Sequence, residues 1–210
     1  MWIDVIMVAL VLTNMVALGS SRLRACIRVV AIQGVAVGLL PLFVHKFAPQ
    51  LLLFTALCFI LKGVVFPWML MRTLRQLDVW REESPYVSFG LSLMIGPMVL
   101  AFACWASAHL PLPYDIHSAT LIPVALFTLF VGLFLIVSRK KALTQVLGYL
   151  VLENGICAFG IAIAYEQPLI IELGILLDIF VGVFVMGIAI FHISREFDHI
   201  NTDQLNTLRN

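Results

Sequence analysis

Residues 118–137 read SATLIPVALFTLFVGLFLIV, a run of 20 residues without a charged side chain that ends just before Arg139, Lys140 and Lys141. At about 1.5 Å of rise per residue, a helix of about 20 residues spans the hydrocarbon core of a bilayer, so this run predicts a transmembrane helix. Over the whole chain 62% of the residues are hydrophobic and 12% are charged. The charged share is about half that of a water-soluble domain, which excludes a soluble globule.

Six further runs share this apolar character, and the seven together predict an all-α fold: a polytopic membrane protein of about seven transmembrane helices. The predicted spans cover residues 2–19, 25–44, 49–71, 87–109, 118–137, 144–165 and 168–193. The loops between them are short except 72–86, whose mixed charges predict a segment that lies at the membrane interface. No soluble module fits between the spans.

Positive charge distinguishes the two sides of the predicted membrane protein. Eleven of the 13 Lys and Arg residues follow the first, third, fifth and seventh spans: Arg22, Arg24, Arg28, Arg72, Arg75, Arg81, Arg139, Lys140, Lys141, Arg195 and Arg209. The loops of the other side contain one cation, Lys46. Because Lys and Arg in short loops accumulate in the cytoplasm, we expect the N-terminus outside and the C-terminus inside. The remaining cation, Lys62, falls within the third span.

Composition and motifs exclude several classes of function. The net charge is +1 and the cations are dispersed, so no continuous basic face is available for nucleic acid. The four cysteines, Cys26, Cys58, Cys104 and Cys157, lie far apart in apolar runs, which predicts small buried hydrophobic residues. No nucleophile elbow, phosphate-binding loop or zinc motif occurs. The sequence therefore predicts no self-contained active site, no metal and no cofactor.

Three ionisable residues lie inside predicted spans, near the bilayer midplane. Lys62 lies about 18 Å along the third span, Glu153 about 14 Å along the sixth and Asp178 about 15 Å along the seventh. Each costs roughly 2.5 to 3.5 kcal/mol to insert, so each requires a reason. Either they satisfy one another as a structural ion-pair network, or they exchange protons as a relay. Two acids outnumber one lysine, so full ionisation leaves one negative charge to be balanced.

The third span contains a proline five residues after its lysine. Pro67 cannot donate to the carbonyl of Gly63, and a freed carbonyl next to Lys62 would favour hydration. Simple kinking is the alternative, because membrane helices tolerate proline. In the second span Gly34 and Gly38 form a G-x-x-x-G pattern, which predicts close packing of helices and no chemistry.

The sixth and seventh spans carry further polar residues near the two acids. Tyr149 lies one turn before Glu153 on the same helical face, with Asn154 beside it. Glu172 lies six residues before Asp178 and nearer the outer surface. We therefore predict a proton path through Lys62, Glu153 and Asp178 at the midplane, with Glu172 as an outer-side contributor. Its auxiliary residues would be Tyr149, Asn154 and Pro67.

Three patterns resemble the hydrogenase-4 component E family: GYLVLENG at 148–155; Pro168 followed by Glu172, Gly174 and Asp178; and Lys62 with Pro67. Members of that family are membrane subunits of complex I-like formate hydrogenlyase and group 4 nickel-iron hydrogenase assemblies. The last three spans also look like the three-helix K subunit of bacterial complex I, whose second and third helices carry buried glutamates. The resemblance implies three regions: a four-helix membrane region at 1–117, a K-like three-helix region at 118–194 and a cytoplasmic tail at 195–210.

The same resemblance implies a function. It implies a multi-pass subunit of the bacterial or archaeal cytoplasmic (inner) membrane that couples proton translocation to redox chemistry elsewhere in an oxidoreductase complex. Its partners would be the lipid bilayer, other membrane-arm subunits including antiporter-like ones, and a peripheral arm that holds the iron-sulfur clusters and nickel. The alternative is a structural linker that joins antiporter-like subunits without conducting ions. A free-standing transporter is disfavoured, because the spans show no internal repeat.

Overall fold

The computed structural model describes residues 2–44, 49–76, 80–82, 85–110 and 119–163, in which the regular elements are helices. The α-helices are α1 (Trp2–Gly19), α2 (Leu23–Val44), α3 (Pro49–Ile60), α4 (Phe66–Gln76), α5 (Phe89–His109), α6 (Leu121–Ser138) and α7 (Ala142–Ile163). Six stretches of this part of the chain are long and apolar enough to cross a membrane. The predicted all-α, multi-pass membrane fold is confirmed. The seventh predicted span, with Glu172 and Asp178, lies outside the described residues, and the orientation of the termini stays a prediction.

A π-helical turn joins α3 to α4 and makes them one spanning unit. The turn covers Leu61–Val65, and the N–H of Phe66 donates to the carbonyl of Leu61, five residues earlier instead of four. Lys62 lies in this turn, with Pro67 at the start of the regular helix that follows. The turn inserts one extra residue into the span. Near Pro67, where the sequence predicted a disturbed helix, the structure has a local widening of the helix at Lys62.

The segment after the third span begins as a continuation of its helix, and its predicted position at the membrane interface stays a prediction. Helix α4 continues to Gln76, five residues past the predicted end of the span at 71. Downstream, Glu82 is buried, and Arg81 forms an isolated bridge with Arg22 at the start of α2. Polar contacts with neighbouring helix ends hold this stretch, which composition alone could not predict. We call the end of the bundle where Arg22, Arg81 and Arg139 lie the basic end.

Close contact between α6 and α7 forms the most extensive helix interface among the described elements. A Cβ atom added at Gly132 would overlap the backbone of Leu152, and one added at Gly155 would overlap the backbone of Leu129. Small residues allow membrane helices to approach at backbone distance. The glycines therefore fix the position of α7, which carries Glu153.

A layer of polar side chains separates two buried apolar clusters in the described helices. The cluster toward the basic end includes Leu23 and Leu147, and the other includes Leu10 and Leu121. Buried polar side chains occupy the level between them: Asn14, Gln33, Lys62, Thr128, Glu153 and Asn154. We call these six residues the polar layer. Its members come from α1, α2, the π-helical turn, α6 and α7.

The prediction that all four cysteines are buried is wrong for one of them. Cys26 and Cys58 are buried and Cys157 is half-buried, but Cys104 is exposed on α5. This helix packs on α1 and α6 over one face only, which leaves much of its apolar surface on the outside of the described bundle. An apolar sequence in a membrane protein does not distinguish a buried face from a lipid-facing one.

Candidate functional site

The centre of the polar layer is an ion pair between two of the three predicted midplane residues. The Nζ of Lys62 lies 2.5 Å from Oε1 of Glu153, across the contact between the π-helical turn and α7. Lys62 is 5% exposed and Glu153 is 1% exposed. Removing one partner of such a buried pair typically costs 3 to 5 kcal/mol, because the other charge is then left in an apolar environment.

Two neighbours complete the surroundings of the lysine. Its Nζ donates a second hydrogen bond, of 3.1 Å, to Oδ1 of Asn154. On the opposite side, the side chain of Lys62 runs over Gly34 of α2, where an added Cβ would come within 2.8 Å of the lysine Cβ. The first glycine of the G-x-x-x-G pattern therefore forms the slot through which Lys62 reaches α7. The second, Gly38, packs in the same way on Cys58.

From Asn154 a chain of hydrogen bonds continues across the bundle through two more amides. Nδ2 of Asn154 donates to Oε1 of Gln33 at 3.3 Å, and Nε2 of Gln33 donates to Oδ1 of Asn14 at 2.8 Å. Nδ2 of Asn14 then donates to Oγ1 of Thr128 at 2.8 Å. The hydroxyl of Thr128 donates to the carbonyl of Val124 at 2.8 Å, so the chain ends on the backbone of α6.

A small cavity lies beside the ion pair on its basic-end side. Its volume is about 10 Å³, close to the space that one water molecule needs. Lys62, Pro67 and Asn154 contribute to its wall, and Ile27 lies at the end nearest the basic end. Two of the lining residues, Ile27 and Gly34, lie seven residues apart on α2, about 10 Å along that helix. The polar wall groups make this a place where water can be held next to the lysine.

The remaining predicted residues have different positions relative to the pair. Tyr149 is half-buried, one turn before Glu153, and packs against the apolar cluster toward the basic end. Asn154 contacts the pair directly, and Pro67 borders the cavity. Asp178 and Glu172 lie outside the described residues.

A second polar cluster ties helix ends together at the basic end. The carboxylate of Glu82 accepts hydrogen bonds from the N–H groups of Lys140 (3.2 Å) and Lys141 (3.3 Å) and from the hydroxyl of Thr144 (2.6 Å), at the start of α7. A carboxylate at a helix N-terminus is stabilised by the unpaired N–H groups and by the helix dipole. This arrangement fixes the start of the helix that carries Glu153.

Arg139, at the same end, is buried and bonds to backbone groups of other segments. Its guanidinium donates to the carbonyls of Leu18 (2.7 Å) and Val87 (3.2 Å) and lies over the ring of Phe89. Burial lowers the pKa of Arg139, and the Glu82 carboxylate opposes that shift. Arginine remains charged at physiological pH. Arg139 therefore links the ends of α1, α5 and α6 by hydrogen bonds that do not depend on pH in this range.

Sequence reasoning found Asn154 but missed the other two amides of the polar layer. Asn14 and Gln33 are uncharged, so insertion cost did not single them out as it did Lys62 and Glu153. Each is an amide inside an otherwise apolar span, and that signal was available. Within the described ranges, no group of three or more His, Cys, Asp and Glu residues has a geometry that could hold a metal ion.

Comparisons with known proteins find one matching family model and several similar proteins. Residues 118–210 match the family of NADH-ubiquinone/plastoquinone oxidoreductase chain 4L. An uncharacterized protein of Mycobacterium tuberculosis is 31% identical over 205 residues, which cover 95% of this chain and 92% of that protein. Hydrogenase-4 component E of Escherichia coli K12 is 25% identical over 162 residues, or 77% of this chain and 75% of that protein. No solved structure matches.

Proposed function

Because the chain belongs to the hydrogenase-4 component E family and is a membrane subunit of the complex I-like hydrogenase type, we propose that it carries part of a proton-translocation path. The path would run through Lys62 and Glu153 and would be coupled to redox chemistry in other subunits. In this proposal the chain itself is not catalytic. It works in a bacterial or archaeal cytoplasmic membrane, next to antiporter-like subunits and under a peripheral arm.

The buried ion pair is the observation that carries this proposal. Lys62 and Glu153 are in hydrogen-bond contact at mid-span, where lipid and apolar side chains exclude bulk water. In such surroundings, protonation of the Glu153 carboxylate removes the negative charge that balances Lys62. The protonation state of each residue therefore strongly affects that of the other. A site with this coupling can be loaded and unloaded by a charge that arrives nearby, which is what a redox-driven relay requires.

The cavity gives room for about one water molecule beside Lys62, on the side of the basic end. Pro67 and the glycine slot keep side-chain bulk away from Lys62 on this side. If the basic end faces the cytoplasm, as the loop charges predict, this is the side from which a proton would be taken up. We propose that Asp178 and Glu172 continue the path toward the outer surface.

The structural linker is the second candidate, and one observation favours it. Lys62 has hydrogen-bond partners on α7, and the polar layer as a whole joins five helical elements. A buried hydrogen-bonded network of this kind can rigidify a bundle without conducting. The two functions differ in what happens when Glu153 loses its ability to titrate.

The deciding experiment replaces Glu153 with glutamine in the intact complex. Glu153→Gln keeps the size and most hydrogen bonds of the side chain but cannot load a proton, so assembly should persist while proton transfer per assembled complex falls at least tenfold. The matched control is Glu82→Gln, the same change at a buried acid of the basic end. It should reduce stability and leave proton transfer per complex unchanged.

The readout separates assembly from conduction. Co-purification of partner subunits reports assembly, and a pH-sensitive dye inside proteoliposomes reports proton transfer during turnover. If Glu153→Gln assembles and pumps at the wild-type rate, the linker function replaces the conducting one. A preparation without any hydrogenase large subunit among the co-purified partners would instead contradict the assignment to a hydrogenase complex.

A further inference from the structure

We propose that Asn154, Gln33 and Asn14 are positioning residues that keep Lys62 in its ammonium form, so that Glu153 alone carries the mobile proton. This inference rests on the proposed function, and it assigns different roles to the two members of the ion pair. Lys62 would be a fixed cation. Glu153 would be the group that loads and releases.

The first argument is the direction of the hydrogen-bond chain. An ammonium group can only donate, so the group of Asn154 that faces Lys62 must be its carbonyl oxygen, at 3.1 Å. The amide nitrogen of Asn154 then donates to the side-chain oxygen of Gln33. In the same way, the amide nitrogen of Gln33 donates to the side-chain oxygen of Asn14. Each amide in the chain thus has its oxygen on the side of Lys62, which is the orientation that an ammonium group requires.

The second argument is electrostatic. Three side-chain amides arranged head to tail add their dipoles, and each presents its oxygen, the negative end, toward the lysine. Hydrogen bonds in such a chain polarise one another, and the effect is larger in a dry interior than in water. The chain therefore favours the ammonium form of Lys62 even while Glu153 is neutral.

The third argument concerns what an amide cannot do. Asn and Gln side chains donate and accept hydrogen bonds but have no proton that they release at physiological pH. The chain also ends on the backbone carbonyl of Val124 through Thr128. A proton therefore has no exit from Lys62 toward α1 and α6 through these groups, and the path closes on this side.

Among the residues that the structure describes, few other groups near Lys62 could titrate. Glu153 faces the lysine from α7, with Tyr149 and Cys157 one turn to either side of it, and Cys58 lies one turn earlier on α3. On α2, Gly34 packs directly against Lys62 in the described structure. Gln33 of the same helix is linked to Lys62 through Asn154. The fixed-cation role therefore depends on the amide chain and on the Glu153 carboxylate.

The test combines two changes in the intact complex, both read from proton transfer per assembled complex against pH. Gln33→Leu removes the middle of the chain without touching the ion pair. Without the chain, the ammonium form of Lys62 should be about tenfold less populated at a given pH. The pH above which proton transfer falls, the alkaline limit of activity, should therefore decrease by about one unit. Thr13→Val is the matched control, because Thr13 contacts Gln33 from the side at 3.4 Å and is not part of the chain. Its pH profile should match the wild type.

Lys62→Arg supplies an independent measurement, since arginine never releases its proton in this range. A fixed cation predicts that Lys62→Arg transfers protons and that Gln33→Leu combined with it regains the alkaline limit. An assembled but inactive Lys62→Arg complex would mean that the lysine must deprotonate, which overturns the inference, as would a Gln33→Leu profile equal to the wild type. If one variant does not assemble, the other decides. Full activity of Glu153→Gln, in contrast, would remove the proposed function itself.

Discussion

Gly34→Ala perturbs the lysine without changing any ionisable group. The added Cβ would lie 2.8 Å from Cβ of Lys62 and 3.1 Å from its Cδ. Carbon atoms pack at about 3.5 to 4.0 Å, so α2 and the π-helical turn, or the lysine side chain, must shift by about 1 Å. Overpacking of this kind costs about 1 to 3 kcal/mol. The contacts of Lys62 Nζ with Glu153 (2.5 Å) and Asn154 (3.1 Å) would lengthen in consequence.

The chain offers a close control one turn away on the same helix. Gly38→Ala would place a Cβ 2.9 Å from Cβ of Cys58, nearly the same overlap between the same two spans. The added Cβ would meet Cys58 instead of Lys62, so the second change tests packing between the two spans one turn away from the lysine. Both variants should lose similar stability, which thermal unfolding in detergent measures.

Only Gly34→Ala should also lower proton transfer per assembled complex. A misplacement of about 1 Å at a reacting group can reduce a rate by about 10²-fold, so we expect a fall of at least tenfold in the proteoliposome assay. Equal proton transfer by the two alanine variants would refute the reasoning, because it would mean that the fit of Lys62 against α2 has no role beyond packing.

Three further predictions follow from other parts of the molecule. In a background without native cysteines, a cysteine at Lys140 should react with an impermeant reagent from the cytoplasm and one at Gln167 from outside; the reverse pattern would contradict the proposed orientation. Gly155→Ala should destabilise the protein by about 3 kcal/mol, because the clash is with backbone, whereas Gly90→Ala, with nothing within 4 Å, should be neutral in the same unfolding assay. Arg139→Met should cost about 1 to 3 kcal/mol by leaving buried carbonyls without a donor; an unchanged melting temperature would argue against its tying role.

The sequence predicted the fold class well because spanning a bilayer imposes a long apolar run on every helix. The same constraint drew attention to Lys62 and Glu153, since a charge in such a run is expensive. The described parts of six predicted spans confirm this reasoning for the fold, and the structure brings the two charged residues together.

The polar partners were harder to predict for a physical reason. Asn14 and Gln33 are separated from Asn154 by more than 100 residues of chain, and hydrogen bonds between amides leave no periodic signal. The G-x-x-x-G pattern did predict close packing at Gly34, but it could not show that a lysine would occupy the contact. Which helix faces which is decided by tertiary packing, so the composition of single spans does not contain it.

The separation of the ion pair along the chain has a consequence for biosynthesis. Lys62 is made 91 residues before Glu153, which at about 5 to 20 residues per second corresponds to roughly 5 to 18 s of translation. During that interval the third span must enter the membrane without its carboxylate, while Gln33 and Asn14 have already been synthesised. Both groups that bond Lys62, Glu153 and Asn154, arrive together with α7. Until then, we expect the amides of Gln33 and Asn14 to be the polar groups of the first two helices that can shelter the lysine.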